Sequence, residues 1–321
     1  MAAGGAALLA LAAALAVLWF NTPLLAVWYT RAVWGGPETD PAYREYVTAD
    51  GIRVLENECY CAEFANSYMD VYLPQEGGGK AILWVHGGGF VSDDKSLVSE
   101  TAMKFAQAGY AFFNINYALA PEATYPSQLR QLDAAAAYIA EHEARYGVQG
   151  AAFVFGGDSA GGQIAGQYVN LQSDEDYAQA VGLSCTPLRH RIGGVIFYCA
   201  FLDFSGTAEE TALWRFLSPQ FSWALFGTKD YRGTEQAALA SIVGNLSEQY
   251  PPVFITDGTV GSFAVQAQAL IAELEEKHIP YEASLYDPQL HSLPHEYQFD
   301  YSLPQAEENL ARTLAFLAAL P

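Results

Sequence analysis

The sequence predicts an α/β fold with a mostly parallel central sheet, and three observations support this prediction. Short apolar runs of strand length alternate with longer stretches in which apolar residues recur at helical spacing. Two of the runs, at 81–85 and 151–155, lead directly into clusters of glycine. Strands that are linked by crossover helices form parallel sheets with helices on both faces. Because the active site of such a sheet lies at the carboxyl ends of its strands, the two glycine clusters mark the expected site.

The predicted elements follow one another along the chain. Residues 52–61 and 68–73 read as two short strands, which we expect to pair as a hairpin at one edge of the sheet. Buried strands are then expected at 81–85, 110–117, 151–155, 192–201, 253–256 and 281–286. Helices are expected at 128–146, 160–171, 263–277 and 305–320, and the last of them is amphipathic.

Residues 205–250 interrupt this alternation, because they show no strand pattern and are rich in aromatic side chains. We expect them to form a cap inserted over the site. Whether the aromatic residues line an apolar acyl or aryl pocket or only form the core of the cap stays open at this point. They are Trp214, Phe216, Phe221, Trp223, Phe226 and Tyr231. The simplest division of the chain is an N-terminal segment at 1–35 and one catalytic domain at 36–321 that includes this cap.

The N-terminal segment contains no charged side chain between residues 2 and 30. Residues 5–28 are long enough, as a helix, to cross about 30 Å of hydrocarbon. We therefore predict a protein anchored in a membrane by a single N-terminal helix, with a cleaved export signal or a docking helix as the alternatives. Arg31 and Arg44 follow the segment while no arginine or lysine precedes it, which favours a cytoplasmic body.

Charge and composition exclude several classes of partner. The chain has 15 basic and 36 acidic residues, and its net charge of −21 cannot neutralise a phosphate backbone, so we expect no nucleic acid. The same charge keeps the body away from anionic lipid. The cysteines are too sparse for a disulfide scaffold and lack neighbours that would complete a metal site, so we expect a structural role for all four, a buried position for Cys199, no metal and no cofactor. They are Cys59, Cys61, Cys185 and Cys199.

Ser159 is the predicted nucleophile. It lies in a G-x-S-x-G motif, residues 157–161, directly after a predicted strand and directly before a predicted helix. A nucleophile on such a sharp turn has a strained backbone and needs minimal neighbours two residues away on each side, which Gly157 and Gly161 provide. The helix N-terminus behind Ser159 adds positive potential toward an oxyanion.

A second glycine cluster, H-G-G-G-F at 86–90, follows the strand at 81–85. Residues without side chains let backbone N–H groups approach a tetrahedral intermediate and serve as an oxyanion hole. A phosphate-binding loop is the alternative, but no Lys-Ser/Thr pair follows the glycines and no G-x-G-x-x-G pattern is present. Both motifs together therefore indicate acyl-transfer chemistry.

The sequence at this point resembles the hormone-sensitive-lipase-like group of α/β-hydrolases. The motifs that carry the resemblance are HGGGF at 86–90, YALAPEATYP at 117–126 and GDSAGG at 157–162, and the resemblance extends over about residues 50–320. It implies an α/β-hydrolase fold with a helical cap and a carboxylic-ester hydrolase with a Ser–Asp–His triad. Some relatives are membrane-anchored deacetylases, which agrees with the predicted anchor.

The resemblance also implies an oxyanion hole formed by the N–H groups of Gly87, Gly88 and Ala160. One residue departs from the pattern, because Ala118 stands where the family usually has arginine in Y-R-L-A-P-E. We expect this change to remove a structural ion pair and to leave the chemistry intact.

The catalytic histidine must follow the serine and the acid in the chain. His291 and His295 both come after the last predicted strand. His291 has the more usual distance from the strand end, whereas His295 is followed by a short aromatic stretch and the closing helix, as in the resembling family. We choose His295 and keep His291 as the alternative.

Asp257 is the predicted acid, because it lies at the carboxyl end of the penultimate strand and can fix the tautomer of the imidazole. Members of the resembling family place this acid a few residues later, where this chain has Gly261 and Ser262. Asp203, after the preceding strand, is the alternative. Asp158 and Glu122 are expected to be structural.

The predicted function is a serine carboxylesterase that acts on small-molecule esters with short-chain or aryl groups through an acyl-enzyme. A carbohydrate-ester deacetylase is one alternative, since acetylated sugars need only a small acyl pocket. A receptor on the same fold that binds a small molecule without hydrolysis is the other. A serine peptidase is less well supported, because such enzymes commonly carry a large extra domain.

Overall fold

The structure is a computed structural model that describes residues 15, 17–37, 41–75, 80–184, 191–206 and 212–320. Its strands are β1 (Arg44–Val47), β2 (Arg53–Cys59), β3 (Tyr68–Leu73), β4 (Lys80–Val85), β5 (Ala111–Ile115), β6 (Ala152–Asp158), β7 (Ile192–Tyr198), β8 (Val253–Thr256) and β9 (Tyr281–Ser284). Its helices are α1 (Leu24–Trp34), α2 (Ser99–Gln107), α3 (Ser127–Glu141), α4 (Glu143–Tyr146), α5 (Ser159–Ser173), α6 (Glu175–Val181), α7 (Ala212–Phe226), α8 (Glu235–Ala240), α9 (Ala264–Glu276) and α10 (Pro304–Ala319).

The strands form one sheet, which within the described residues has nine members in the order β1-β2-β3-β5-β4-β6-β7-β8-β9. β5, β4, β6, β7, β8 and β9 are parallel to one another, while β1, β2 and β3 are joined to them by antiparallel pairings. The predicted hairpin of β2 and β3 and the predicted mostly parallel sheet are both confirmed.

Helices cover both faces of the sheet, as expected for buried parallel strands. Successive side chains of a strand point to opposite faces. In β4, Ile82 and Trp84 belong to one buried cluster, whereas Leu83 and Val85 belong to the other. Helices α2 and α10 contribute to the first cluster, and α3, α5 and α9 contribute to the second. The carboxyl ends of β4, β6 and β8 then carry the loops of the predicted site.

β1 was not expected from the sequence. All four of its residues are exposed at the edge of the sheet, and it is held there by antiparallel pairing with β2. A strand without a buried face leaves no apolar alternation in the sequence, which explains why the pattern gave no sign of it.

Residues 205–250 contain helices α7 and α8 and, where they are described, no strand. Helix α7 packs against α1, with Trp34 of α1 contacting the rings of Trp214 and Phe221. Residues 207–211 of the predicted cap lie outside the described residues, as does Cys185. The division of the chain into a segment at 1–35 and a domain at 36–321 stays a prediction.

The predicted membrane anchor is wrong: no helix among the described residues is long and apolar enough to cross a membrane. Within the predicted span, a break at residues 22–23 separates the helical residues 17–21 from α1. Helix α1 has 11 residues, so it is about 16 Å long, half of the hydrocarbon thickness. Residues 1–14 of the predicted anchor lie outside the described residues.

Helix α1 instead packs on the rest of the protein. Ala26 and Val27 are buried in the main apolar cluster. Arg31 donates to the carbonyls of Val91 (2.7 Å) and Ala120 (3.0 Å) and forms an ion pair with Glu122 at 2.6 Å. One face of this helix is therefore buried against the protein, whereas Trp28, Tyr29 and Val33 are exposed. Glu122 obtains a guanidinium partner from outside the loop that contains Ala118.

Candidate active site

Ser159 occupies the turn between β6, which ends at Asp158, and α5, which begins at Ser159 itself. Its φ angle is 49°, in the left-handed region that costs energy for any residue with a side chain. The neighbouring glycines are required by close approach of the backbone. A Cβ on Gly157 would lie 2.4 Å from the carbonyl carbon of Gly161, and one on Gly161 would lie 2.0 Å from the carbonyl oxygen of Val85. The turn thus holds the Ser159 hydroxyl at the carboxyl edge of the sheet.

His295 is the histidine that the structure brings to Ser159. Its Nε2 lies 3.0 Å from the Ser159 Oγ. The imidazole packs edge-on against the rings of Trp214 and Phe263. Burial lowers the pKa of His295 to about 3, so the ring is neutral near pH 7 and its Nε2 can accept a proton. His291 is directed elsewhere, with its Nδ1 3.3 Å from the side-chain nitrogen of Gln305.

Asp257 lies directly after β8, in a buried position near His295 but without a hydrogen bond to it. Its Oδ1 accepts hydrogen bonds from the Ser262 hydroxyl and from the backbone N–H of Phe263, the latter at 3.2 Å. The Ser262 Oγ lies 2.8 Å from His295 Nδ1. Ser262 therefore stands between the predicted acid and the predicted base. Burial raises the pKa of Asp257 to about 7.

Asp203, the alternative acid, lies in another hydrogen-bond group. Its carboxylate accepts from the backbone N–H of Ser205 at 2.7 Å and from the Ser241 hydroxyl at 3.3 Å. These hydrogen bonds hold the Asp203 carboxylate within the loop after β7.

The three predicted oxyanion donors differ in their surroundings. The N–H of Gly87 donates to Asp158 Oδ2 at 2.7 Å, so it is already engaged. Ala160 is the second residue of α5 and belongs to the first turn, whose N–H groups have no acceptor within the helix. Gly88 has a φ of 90° and turns the loop, and its carbonyl accepts from the N–H groups of Val91 and Ser92. Sequence reasoning missed Gly89, which lines a pocket together with Ser159 and Ala160.

Two carboxyl groups lie beside Ser159, of which Asp158 is buried and Glu296 is half-buried. Asp158 accepts from the Trp84 indole N–H at 2.8 Å, and the Glu296 carboxyl hydrogen-bonds to Asp158. Burial raises the pKa of Asp158 to about 6, and burial together with Asp158 raises the pKa of Glu296 well above its usual range. Glu296 Oε1 is 3.5 Å from His295 Nε2. The two raised pKa values favour retention of a proton on this pair of carboxyl groups.

The pocket beside Ser159 is small and mostly apolar, with a cavity volume of about 20 Å³. Its lining is Gly89, Phe90, Ser159, Ala160, Phe201, Trp214, Ser218, Phe221, Ser222 and Phe263. Of the aromatic residues expected there, Trp214 and Phe221 line the pocket. Phe226 and Tyr231 are buried and stack on each other, and Phe216 is exposed and stacks on Trp19.

No group of three or more His, Cys, Asp or Glu side chains that could hold a metal occurs in the described part of the chain. The groups gathered at the site are a hydroxyl, an imidazole, carboxyls and backbone N–H groups. Such a set is suited to nucleophilic attack and proton transfer on a carbonyl compound.

Comparison with known proteins supports this description. The chain is 23% identical over 296 residues to an acetyl esterase of Salmonella paratyphi B and 24% identical over 300 residues to one of Salmonella typhi; each alignment covers 87% of this chain and 86% of the relative. Esterase B of Lactobacillus rhamnosis, inhibited by a tributyrin phosphonate, has a similar structure with a TM-score of 0.71, 19% identity and coverage of 97% and 95%.

Two further solved structures are similar. A bacterial heroin esterase has a TM-score of 0.65, 21% identity and 95% coverage of both chains. An esterase of the bacterial hormone-sensitive lipase family has a TM-score of 0.60, 19% identity and coverage of 92% and 89%. The α/β-hydrolase fold and the resemblance to hormone-sensitive-lipase-like esterases are therefore confirmed. Because the BD-FAE family model matches residues 69–274, well over half of the chain, the protein belongs to the BD-FAE family.

Proposed function

We propose that this protein is a serine carboxylesterase that cleaves short-chain esters through an acyl-enzyme, with Ser159 as nucleophile and His295 as general base and acid. The observation that supports this most directly is the 3.0 Å contact between Ser159 Oγ and His295 Nε2 on a strained strand-to-helix turn. The esterase names of its relatives agree with this reaction class. The intact pair of Ser159 and His295 argues against a receptor without hydrolysis.

In the first step, Ser159 Oγ attacks the ester carbonyl carbon while His295 Nε2 takes the hydroxyl proton. The carbonyl oxygen becomes an oxyanion, and His295 then returns the proton to the leaving alcohol as the carbon–oxygen bond breaks. In the second step, water attacks the acyl-enzyme with His295 again as the base, releasing the acid and Ser159. A low pKa of His295 before attack keeps its Nε2 free to accept.

For the oxyanion we propose the N–H groups of Ala160, Gly88 and Gly89. Ala160 has the unpaired N–H of a first helical turn, and Gly89 lines the pocket beside Ser159. The predicted donor Gly87 would have to give up its 2.7 Å bond to Asp158. Its N–H serves instead to hold Asp158 against the loop.

The size of the pocket supports short acyl groups. Its cavity volume of about 20 Å³ lies far below the range of about 300–1,000 Å³ that holds drug-sized ligands. Phe90, Phe201 and Phe221 make its walls apolar, which suits an alkyl chain and disfavours a charged acid. We infer that acetyl to butyryl esters are the substrates, and that helix α7 forms the cap over them.

The test uses the full chain and p-nitrophenyl acetate, butyrate and octanoate. Ser159→Ala and His295→Ala should each lower kcat by on the order of 10³-fold or more, because the two groups act as a unit. His291→Ala is the matched control and should keep activity close to that of the unmodified protein. Unchanged turnover in Ser159→Ala would refute the mechanism, and faster turnover of octanoate than of butyrate would refute the acyl length.

A further inference from the structure

A serine separates the carboxylate from the imidazole in this protein. Asp257 and Ser262 are buried, at 1% and 0% exposure. Ser262 Oγ hydrogen-bonds to Asp257 Oδ1 and lies 2.8 Å from His295 Nδ1. The other carboxylate oxygen, Asp257 Oδ2, has no hydrogen-bond partner among the described residues. The described hydrogen bonds therefore connect the charge of Asp257 to the imidazole through the Ser262 hydroxyl.

The direction of these hydrogen bonds follows from the chemistry of the three groups. Above its pKa of about 7, the Asp257 carboxylate is ionised and only accepts hydrogen bonds, so the single hydroxyl proton of Ser262 is donated to it. The lone pairs of the Ser262 oxygen then face His295 and accept its Nδ1–H. With the proton on Nδ1, the lone pair of Nε2 faces Ser159, which is the tautomer that a general base needs.

We propose that Ser262 is the positioning residue of this esterase, orienting His295 and relaying the charge of Asp257 in place of a carboxylate that contacts the imidazole directly. This inference rests on the proposed function. The Nδ1 proton stays on its nitrogen throughout, and no proton passes along the relay. When Nε2 is protonated, the oriented hydroxyl dipole and the carboxylate behind it stabilise the imidazolium.

Other acids near the site do not supply this contact. Glu296 lies 3.5 Å from Nε2, the nitrogen on the opposite side of the ring, and is hydrogen-bonded to Asp158. Asp203 bonds to Ser205 and Ser241. The Phe263 N–H at 3.2 Å holds Asp257 Oδ1 toward Ser262, which fixes the relay at its far end.

The arrangement suggests a rescue experiment. Ser262→Asp places a carboxylate at the position that now faces His295 Nδ1, but it also sets two carboxylates side by side. Combining it with Asp257→Asn removes this repulsion and lets the asparagine amide donate to the new carboxylate. The double variant therefore rebuilds a direct acid–imidazole contact in a chain that has lost the relay.

We would measure kcat and KM with p-nitrophenyl acetate for Ser262→Ala, Asp257→Asn, Ser262→Asp/Asp257→Asn and Ser159→Ala, all in the full chain. Ser262→Ala should lower kcat by on the order of 10²–10³-fold with KM within about threefold, since the ring is misoriented while the pocket is intact. Asp257→Asn should cause a similar loss, and the double variant should recover at least about tenfold over Ser262→Ala.

The outcomes separate this inference from the function on which it rests. If Ser159→Ala is inactive but Ser262→Ala or Asp257→Asn retains kcat within about threefold, the relay is refuted and the esterase mechanism stands. Should Ser262→Ala fail to fold, Asp257→Asn and the double variant decide, because both keep a polar side chain at each position. An active Ser159→Ala would overturn the proposed function itself.

Discussion

Replacing Asp93 by asparagine changes the pH dependence of stability by an amount that follows from its surroundings. Asp93 is only 7% exposed and adopts a φ of 69° in the loop after the glycine cluster. Its backbone N–H donates to the carbonyl of Gly35 at 3.1 Å. Burial and the nearby carboxylates of Asp158 and Asp94 raise the pKa of Asp93 from 3.8 to about 7. Asparagine has the same shape, tolerates the left-handed region and is never charged.

Because its pKa is raised in the native state, Asp93 stays protonated there at pH values at which the unfolded chain has already lost this proton. Ionisation therefore costs native stability as pH rises from about 4 to about 7. Between pH 5 and pH 8 the free energy by which ionisation of Asp93 destabilises the native state grows by the equivalent of about two pKa units, on the order of 3 kcal/mol. Relative to the unmodified protein, the stability gain of Asp93→Asn should therefore be about 3 kcal/mol larger at pH 8 than at pH 5.

The measurement is urea unfolding of the full chain, followed by tryptophan fluorescence at pH 5, 6.5 and 8. Asp94→Asn is the matched control, because it removes the same charge from the adjacent, half-exposed position. We expect a smaller change there, since asparagine also caps the following 3₁₀ turn. An equal gain for Asp93→Asn at pH 5 and pH 8, or a loss at pH 8, would refute the argument.

Two further predictions concern activity. Burial raises the pKa of Asp257 to about 7, so kcat should fall as the pH drops below 7 and this carboxylate becomes neutral. A pH–rate profile measures the fall, and in Asp257→Asn the acidic side of the profile should become flat. Phe221→Ala removes an aromatic wall of the pocket and should shift the preferred p-nitrophenyl ester from acetate toward longer acyl chains. If the order of kcat/KM among these esters stays unchanged, Phe221 does not limit the acyl length.

Local requirements of the backbone made the nucleophile predictable from sequence. The turn at Ser159 needs glycine at 157 and 161, because backbone atoms lie within 2.4 Å and 2.0 Å of the positions that a Cβ would occupy. This requirement produces the five-residue motif G-x-S-x-G, which can be recognised in the sequence. The strands from β4 to β8 were predictable for the same kind of reason, since each is buried on both faces.

Contacts between residues that are distant in the chain could not be predicted from the sequence pattern. The role proposed for Ser262 depends on its contacts to residues 5 and 33 positions away, and a single serine forms no recognisable sequence motif. The one sign in the sequence was that no acid stands at the position where the resembling family has one. The anchor prediction failed because apolar composition does not show that the helix breaks at residues 22–23 or that α1 has only 11 residues. Arg31, bonded to Val91 and Ala120, is what ties α1 to the body.

The site also explains how so acidic a protein can stabilise an oxyanion. Glu296 lies 3.5 Å from His295 Nε2, and an ionised carboxylate there would repel the oxyanion and hold the imidazolium proton back from the leaving alcohol. Burial and Asp158 raise the pKa of Glu296 well above its usual range, which favours its neutral form. In the proposed mechanism, the negative charge that stabilises the imidazolium is that of Asp257, which lies on the Nδ1 side of the ring behind the Ser262 hydroxyl. Placing the neutral acid near Nε2 and the charged one behind Ser262 lets the imidazolium form without opposing the charge that develops on the substrate.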